Sequence, residues 1–176
     1  MRAVFVDKDG TLVENVPYNV DPARIALTPG AAPGLRALAH RGYRIIVVSN
    51  QPGVALGKYP AEALAAVRAR IAELVPLHGF YFCPHAPGAG CDCRKPVPGL
   101  LLRAAREHGV SLADSWLIGD ILDDIEAGRR AGCRTMLLNN GNETEWQMLP
   151  QRVPHHVARV LGEAAKLILE HERAMA

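Results

Sequence analysis

The sequence predicts a doubly wound α/β fold built on a mostly parallel sheet. Two observations carry this. Strand-like and helix-like segments alternate along the chain. The strand-like segments are apolar throughout, not at every second residue, as expected of strands covered by helices on both faces. A third observation concerns placement: polar clusters directly follow the strand-like segments, where open α/β sheets bind their ligands.

Each element has its own signal. Ala3-Val4-Phe5-Val6 reads as a buried first strand. Leu35, Leu38 and Ala39 recur at helical spacing between Gly34 and Arg41, and Gly42 ends that helix. Arg44-Ile45-Ile46-Val47-Val48 is the second strand. A helix from Pro60 to Leu74 follows, with proline at its start and Leu64, Val67, Ile71 and Leu74 on one face. Phe80-Tyr81-Phe82 is a short strand. Gly99 to His108 reads as a helix closed by Gly109, and Trp116-Leu117-Ile118 as a strand. Asp123 to Ala131 is a helix closed by Gly132, and Thr135-Met136-Leu137-Leu138 a strand. A last helix is expected over Leu161 to Glu170, with the final six residues frayed.

At 176 residues the chain suits a single domain, 1–176, with a substantial core. Its net charge of +2 argues against nucleic acid or an anionic membrane as a general partner. No apolar run is long enough to span a bilayer, and a first strand starting at residue 3 leaves no room for a signal peptide. The expectation is a cytoplasmic monomer acting on a small molecule.

The chemistry sits at the strand ends. Asp7 and Asp9 follow the first strand, and persisting strand geometry would put both on one side with Lys8 opposite. Paired carboxylates repel, so they call for a cation or a shared proton. Ser49-Asn50-Gln51-Pro52-Gly53 follows the second strand, and Gly119-Asp120 with Asp123 and Asp124 follows the strand at Trp116. Arg94-Lys95-Pro96 precedes the helix at Gly99. Each has an ordinary alternative as a turn, a helix cap or a solvated face. Together they place carboxylates, a hydroxyl, an amide and a lysine around one crevice.

Cys83, His85, Cys91 and Cys93 form a second constellation, with five residues between His85 and Cys91. Three thiolates and one imidazole complete a tetrahedral zinc set with no position left for substrate, which makes the site structural. The ion would fold a loop, 83–93, that is rich in glycine and proline and has no core of its own. That loop ends at Arg94-Lys95, so the ion would set the register of both cations. Cys133 reads as a small buried side chain.

In order, Asp7-Lys8-Asp9-Gly10-Thr11, Ser49, Lys95 and Gly119-Asp120 with Asp124 resemble the four motifs of the haloacid dehalogenase-like (HAD-like) phosphohydrolases, over residues 3 to 140. The resemblance implies Asp7 as nucleophile, Asp9 as general acid and base, and Ser49 and Lys95 as the phosphoryl clamp. It implies Mg²⁺ bound by Asp7, the Asp9 main-chain carbonyl and Asp120, with Asp124 in support. Cys-Pro-His followed by Cys-Asp-Cys-Arg-Lys-Pro resembles the branch of heptose bisphosphate 7-phosphatases and histidinol phosphatases. That branch implies substrate contacts from Tyr18, Asn50, Gln51 and Arg94.

The sequence around Ser49 and after Lys95 is similar to the heptose enzymes, which makes heptose 1,7-bisphosphate the foremost substrate. The short gap between His85 and Cys91 is similar to the histidinol-phosphatase side, the nearest alternative. Two further alternatives are a polynucleotide end phosphatase and an inactive zinc-stabilised binding module. Core elements and the metal loop consume the residues between the motifs, so no cap domain is expected. Specificity then falls to loops: Asn15 to Asn19, the metal loop, and residues 139 to 146, a polar segment that could rim the entrance or be an ordinary surface loop anchored by Trp146.

Overall fold

The computed structural model describes residues 1–176. Six strands form one sheet: β1 (Arg2–Val6), β2 (Tyr43–Asn50), β3 (Gly79–Cys83), β4 (Trp116–Gly119), β5 (Arg134–Leu138) and β6 (His156–Ala158). Their order is β3-β2-β1-β4-β5-β6, and every neighbouring pair is parallel. The chain winds outward from β1 to β3, then crosses back to lay β4 on the other side of β1. The order therefore reverses between β1 and β4, and a crevice opens there beyond the carboxyl ends of the strands.

Five helices cover the sheet: α1 (Ala31–His40), α2 (Leu64–Leu74), α3 (Gly99–His108), α4 (Leu122–Ala131) and α5 (Leu161–Met175). Strand alternation divides the core. Val4, Val6, Ile45 and Val47 face one layer, where they meet Leu35, Leu38, Leu64, Ile71, Leu161 and Ile168 from α1, α2 and α5. Ala3, Phe5, Ile46 and Val48 face the other, against Leu100, Leu101 and Ala104 of α3 and Ala127 of α4. The continuous apolar runs are thus two alternating sets read together.

Several elements differ from the expectation. The segment after Pro60 opens as a 3₁₀ turn, Ala61–Ala63, and the α-helix proper starts at Leu64. The edge strand β6 carries no sequence signal because it is three residues long and starts on a histidine. The C-terminal helix runs on to Met175 without fraying at Glu170, because Glu172 ion-pairs with both Arg2 and Arg41. No domain is inserted between β1 and β2. Residues there fold back over the sheet end, with Thr28 donating its hydroxyl to the Thr11 carbonyl at 2.6 Å and its N–H to Leu12 at 3.0 Å.

Candidate active site

Sheet register brings the acidic residues together. Asp7 leaves the end of β1 with its N–H bonded to Ile118 of β4 at 3.0 Å, so the ends of β1 and β4 are held side by side. One carboxylate oxygen from each of Asp7, Asp120 and Asp124 lies within 4.8 Å of the others, and all three residues are buried. Gly10 makes this approach possible. Its φ of 84° is left-handed, and a Cβ there would fall on the Asp120 carboxylate and the Asn142 amide.

Lys95 is the counter-charge. It is 2% exposed, and its ammonium donates to Asp124 Oδ1 at 2.6 Å, Asp7 Oδ1 at 2.7 Å and the Val48 carbonyl at 2.8 Å. Burial alone would lower its pKa, but Asp124 and Asp7 outweigh that and hold it above the usual lysine range. One cation against three carboxylates leaves an excess of negative charge. Burial, then Asp124, pushes Asp7 up despite Lys95. Burial, then Asp7 and Asp124, pushes Asp120 up to about 8. An oxygen-only, electron-rich cluster of this kind fits a hard divalent cation such as Mg²⁺. Asp124 is the least free to bind one. Its Oδ2 accepts the N–H groups of Asp120 at 3.2 Å and Ile121 at 3.3 Å, so it caps α4 while it holds Lys95.

A second network fixes Asp9 and Ser49. Strand geometry stops at Val6, so Lys8 does not point away from the acids. It is buried, and its ammonium reaches Asp9 Oδ1 at 2.5 Å. Gln51 Nε2 donates to Asp9 Oδ2 at 3.0 Å and to Ser49 Oγ at 2.8 Å. Tyr59, which sequence reasoning missed, sets the orientation of that amide. Its hydroxyl donates to Gln51 Oε1, and burial, then Asp9 and Tyr18, pushes its pKa up to about 12. The phenol therefore stays a donor, and Gln51 must turn its NH₂ toward Asp9 and Ser49.

Asn50 faces the protein. Its Nδ2 donates to the Lys95 carbonyl at 3.1 Å, and its Oδ1 accepts the Lys95 N–H at 3.0 Å. Tyr18, at a positive φ of 55°, and Gln51 line a 100 Å³ cavity beside Asp9. The Lys58 ammonium sits 5.6 Å from the Tyr18 ring centroid. Arg94 lies on the zinc-type loop, where its guanidinium donates to the His85 carbonyl at 3.4 Å.

The loop after β5 belongs to the site. Asn142 donates to Asp120 Oδ2 at 2.7 Å and Asn140 to the Gly10 carbonyl at 2.8 Å, while Thr11 donates to Asp120 Oδ1 at 3.2 Å. Trp146 is not its anchor, being about half exposed at 49%. The polar composition of this segment pointed to the rim of the crevice, but not to the contacts that Asn140 and Asn142 make with Gly10 and Asp120.

One ligand atom from each of Cys83, His85, Cys91 and Cys93 lies within 4.8 Å of the others, and no cysteine is in a disulfide. His85 Nδ1 is 3.2 Å from Cys93 Sγ and 3.4 Å from Cys83 Sγ, so a single ring nitrogen faces the sulfurs. The N–H of Cys93, against burial and with help from the N–H of Arg94, pulls Cys91 down to about 6. Burial and the neighbouring sulfurs hold Cys93 up. A thiol set packed this tightly fits a divalent ion that replaces the protons. Cys133 lies elsewhere, buried and pushed up to about 12 by burial alone.

Comparison with known proteins agrees with this geometry. Residues 92–164 match the family model described as HAD-hydrolase-like. The D-glycero-β-D-manno-heptose-1,7-bisphosphate 7-phosphatase of Pseudomonas aeruginosa is 38% identical over 144 residues, covering 78% of this chain and 81% of that protein. The enzyme of the same name from Helicobacter pylori is 32% identical over 160 residues, covering 88% of each. Among solved structures, D,D-heptose 1,7-bisphosphate phosphatase from B. bronchiseptica, complexed with magnesium and phosphate, superposes with a TM-score of 0.81. It is 27% identical and covers 97% of this chain and 99% of that one. Strand-end acids around a buried lysine, and relatives matched along most of their length, lead to one conclusion: the chain belongs to the HAD-like phosphatases.

Proposed function

We propose that this protein removes the 7-phosphate of a heptose 1,7-bisphosphate, with Asp7 as the nucleophile. The observation that carries the catalytic reading is the meeting of Asp7, Asp120 and Asp124 with one buried ammonium at the switch point of the sheet. The substrate reading rests on the relatives of that name. We read residues 1–176 as one domain and the protein as a cytoplasmic monomer. Three unpaired cysteines gathered for a metal suit a reducing compartment. No helix is long and apolar enough to cross a membrane.

An Asp7 carboxylate oxygen attacks the phosphorus, and the bond from phosphorus to the sugar oxygen breaks. Asp9 gives its proton to the departing alkoxide. The phosphoryl group is then an acyl phosphate on Asp7. Asp9, now ionised, takes a proton from water, which attacks the same phosphorus and releases phosphate and the Asp7 carboxylate. Lys95 and Ser49 hold the phosphoryl oxygens as charge builds on them. Lys8 and Gln51, both donors to Asp9, hold its carboxyl group in place beside the reacting atoms. Asp7, Asp120 and the Asp9 carbonyl would hold Mg²⁺, which when bound cancels the repulsion between carboxylate and phosphate dianion. Cys83, His85, Cys91 and Cys93 would hold a structural Zn²⁺. Tyr18, Gln51 and Arg94 contact substrate in this reading.

Steady-state rates on heptose 1,7-bisphosphate and histidinol phosphate, with and without Mg²⁺, test it. The expected result is a large kcat/KM advantage for the heptose. A preference for histidinol phosphate overturns the substrate, whereas hydrolysis of an aryl phosphate surviving in Asp7→Asn overturns the nucleophile.

A further inference from the structure

Lys95 apart, one side chain from outside the two acidic strand-end loops reaches the carboxylate cluster, and it is Asn142. Its amide donates to Asp120 Oδ2 at 2.7 Å, while Thr11 donates to Oδ1 at 3.2 Å, so each Asp120 oxygen has a donor of its own. Neither donor is charged. Asp7 and Asp124, by contrast, each give an oxygen to the Lys95 ammonium. An amide orients a carboxylate without neutralising it. Asp120 is thus the carboxylate of the three without a cationic partner, which Mg²⁺ would supply.

Asn142 is itself held in place. Asn140 Nδ2 donates to the Gly10 carbonyl at 2.8 Å, and its Oδ1 accepts the Asn142 N–H at 3.2 Å. Glu143 Oε2 accepts the Leu122 N–H at the start of α4 at 2.7 Å. Gly141, at a left-handed φ of 90°, turns the chain between the two asparagines. Asn140, Asn142 and Glu143 therefore grip the loop after β1, the Asp120 carboxylate and the first turn of α4. Both asparagines are exposed, so the core does not rest on them. Their common effect is to hold the Asp9–Gly10 loop against the loop carrying Asp120. In the reading above, the Asp9 carbonyl and Asp120 both bind Mg²⁺.

We propose that residues 140–143 are a strap that pre-organises the Mg²⁺ site, with Asn142 the positioning residue for Asp120 and Asn140 for the Asp9–Gly10 loop. The inference rests on the magnesium-phosphatase reading. Groups that orient metal ligands typically change metal affinity about 10- to 100-fold, and a neutral donor on an exposed loop belongs at the lower end.

The test measures Mg²⁺ affinity by titration calorimetry on the substrate-free protein, in the wild type, Asn142→Ala, Asn140→Ala and Thr144→Ala. Aryl phosphate turnover is followed in parallel as Mg²⁺ is varied. Asn142→Ala should weaken Mg²⁺ binding about 10-fold. Asn140→Ala, which acts through one hydrogen bond to a carbonyl, should weaken it about 3-fold. Thr144→Ala, in the same loop, should leave it unchanged. Saturating Mg²⁺ should return kcat of both asparagine variants to within about 2-fold of the wild type, because the strap sets affinity and leaves the chemistry alone. An unchanged affinity in Asn142→Ala overturns the strap, as does a kcat deficit that persists at saturating metal or an equal loss of affinity in Thr144→Ala. A wild type that binds no Mg²⁺ overturns the magnesium reading along with it. Affinity is read without substrate, so a wrong choice of sugar phosphate leaves the outcome intact.

Discussion

Replacing Lys95 with methionine is the sharpest probe of the site's electrostatics. The ammonium neutralises Asp7 and Asp124 at 2.7 and 2.6 Å and also satisfies the Val48 carbonyl, in a position 2% exposed. Methionine preserves much of the volume and removes every one of these bonds. Breaking a buried pair by deleting one partner costs about 3–5 kcal/mol, because the remaining charge is stranded. Two stranded carboxylates do not double that figure, since one can take up a proton. Against a total stability of roughly 5–15 kcal/mol, the variant should fold but melt about 6–20 °C lower.

The pH dependence has a definite sign. A carboxyl whose folded pKa lies above its unfolded value stabilises the fold below the unfolded pKa, and that contribution is lost as pH rises through the folded pKa. Asp7 already lies above the ordinary carboxylate range, through burial first and Asp124 next, and Lys95 is the largest influence holding it down. Without Lys95 the rise grows, so Lys95→Met should be less destabilised at pH 5.5 than at pH 8 in metal-free buffer. A urea-denaturation cycle with Asp124→Asn measures the coupling. The double variant should recover about 2 kcal/mol relative to additivity, because it removes one of the stranded carboxylates. Additive single effects, within about 0.5 kcal/mol, would refute the shared-cation account.

Three other substitutions or treatments test separate links. Tyr59→Phe frees the Gln51 amide to rotate, so kcat should fall about 3- to 10-fold with little change in melting temperature; an unchanged kcat removes Tyr59 from the site. The purified protein should carry about one equivalent of zinc by elemental analysis, and stripping it should lower the melting temperature and expose residues 83–93 to proteolysis. A metal-free protein with the same melt and the same protease resistance would remove the ion from the fold. Asn50→Ala releases the Lys95 backbone, so kcat should drop equally, about 10-fold, on heptose and histidinol phosphates. A selective rise in KM for one substrate would restore Asn50 to substrate binding.

The parts of this molecule that could be read from the sequence are those fixed by periodicity and by chain order. Apolar strands β1, β2, β4 and β5 announced themselves, and the residues after them had to meet because a parallel sheet aligns its carboxyl ends. What escaped lies just past the strand ends, where the two-residue alternation lapses. Lys8 was expected opposite Asp7 and Asp9 but turns in to Asp9, because the backbone leaves strand geometry after Val6. Tyr59 reaches Gln51 across eight residues of irregular chain, and Asn142 reaches Asp120 from a polar loop that looks like any surface segment. Those contacts depend on tertiary placement that no local pattern encodes.

The zinc-type loop shows how far such placement carries. Cys83 pairs in register with Asn50 at the ends of β3 and β2, and the Gln51 N–H bonds the Cys83 carbonyl at 2.8 Å. The loop closes at Cys93, two residues before Lys95, while the Asn50 amide grips Lys95 through both its N–H and its carbonyl. Lys95 is therefore held from two directions that start at the same strand pair. A metal ion across Cys83, His85, Cys91 and Cys93 would shorten the free chain between β3 and Lys95 to almost nothing. In the proposed mechanism such restraint would matter, because the ammonium must sit between two carboxylates and still meet a phosphoryl oxygen. A displacement of about 1 Å at such a group can cost roughly 100-fold in rate. On the proposed mechanism the loop would contribute the position of one nitrogen atom, and an ion held there would not touch the substrate.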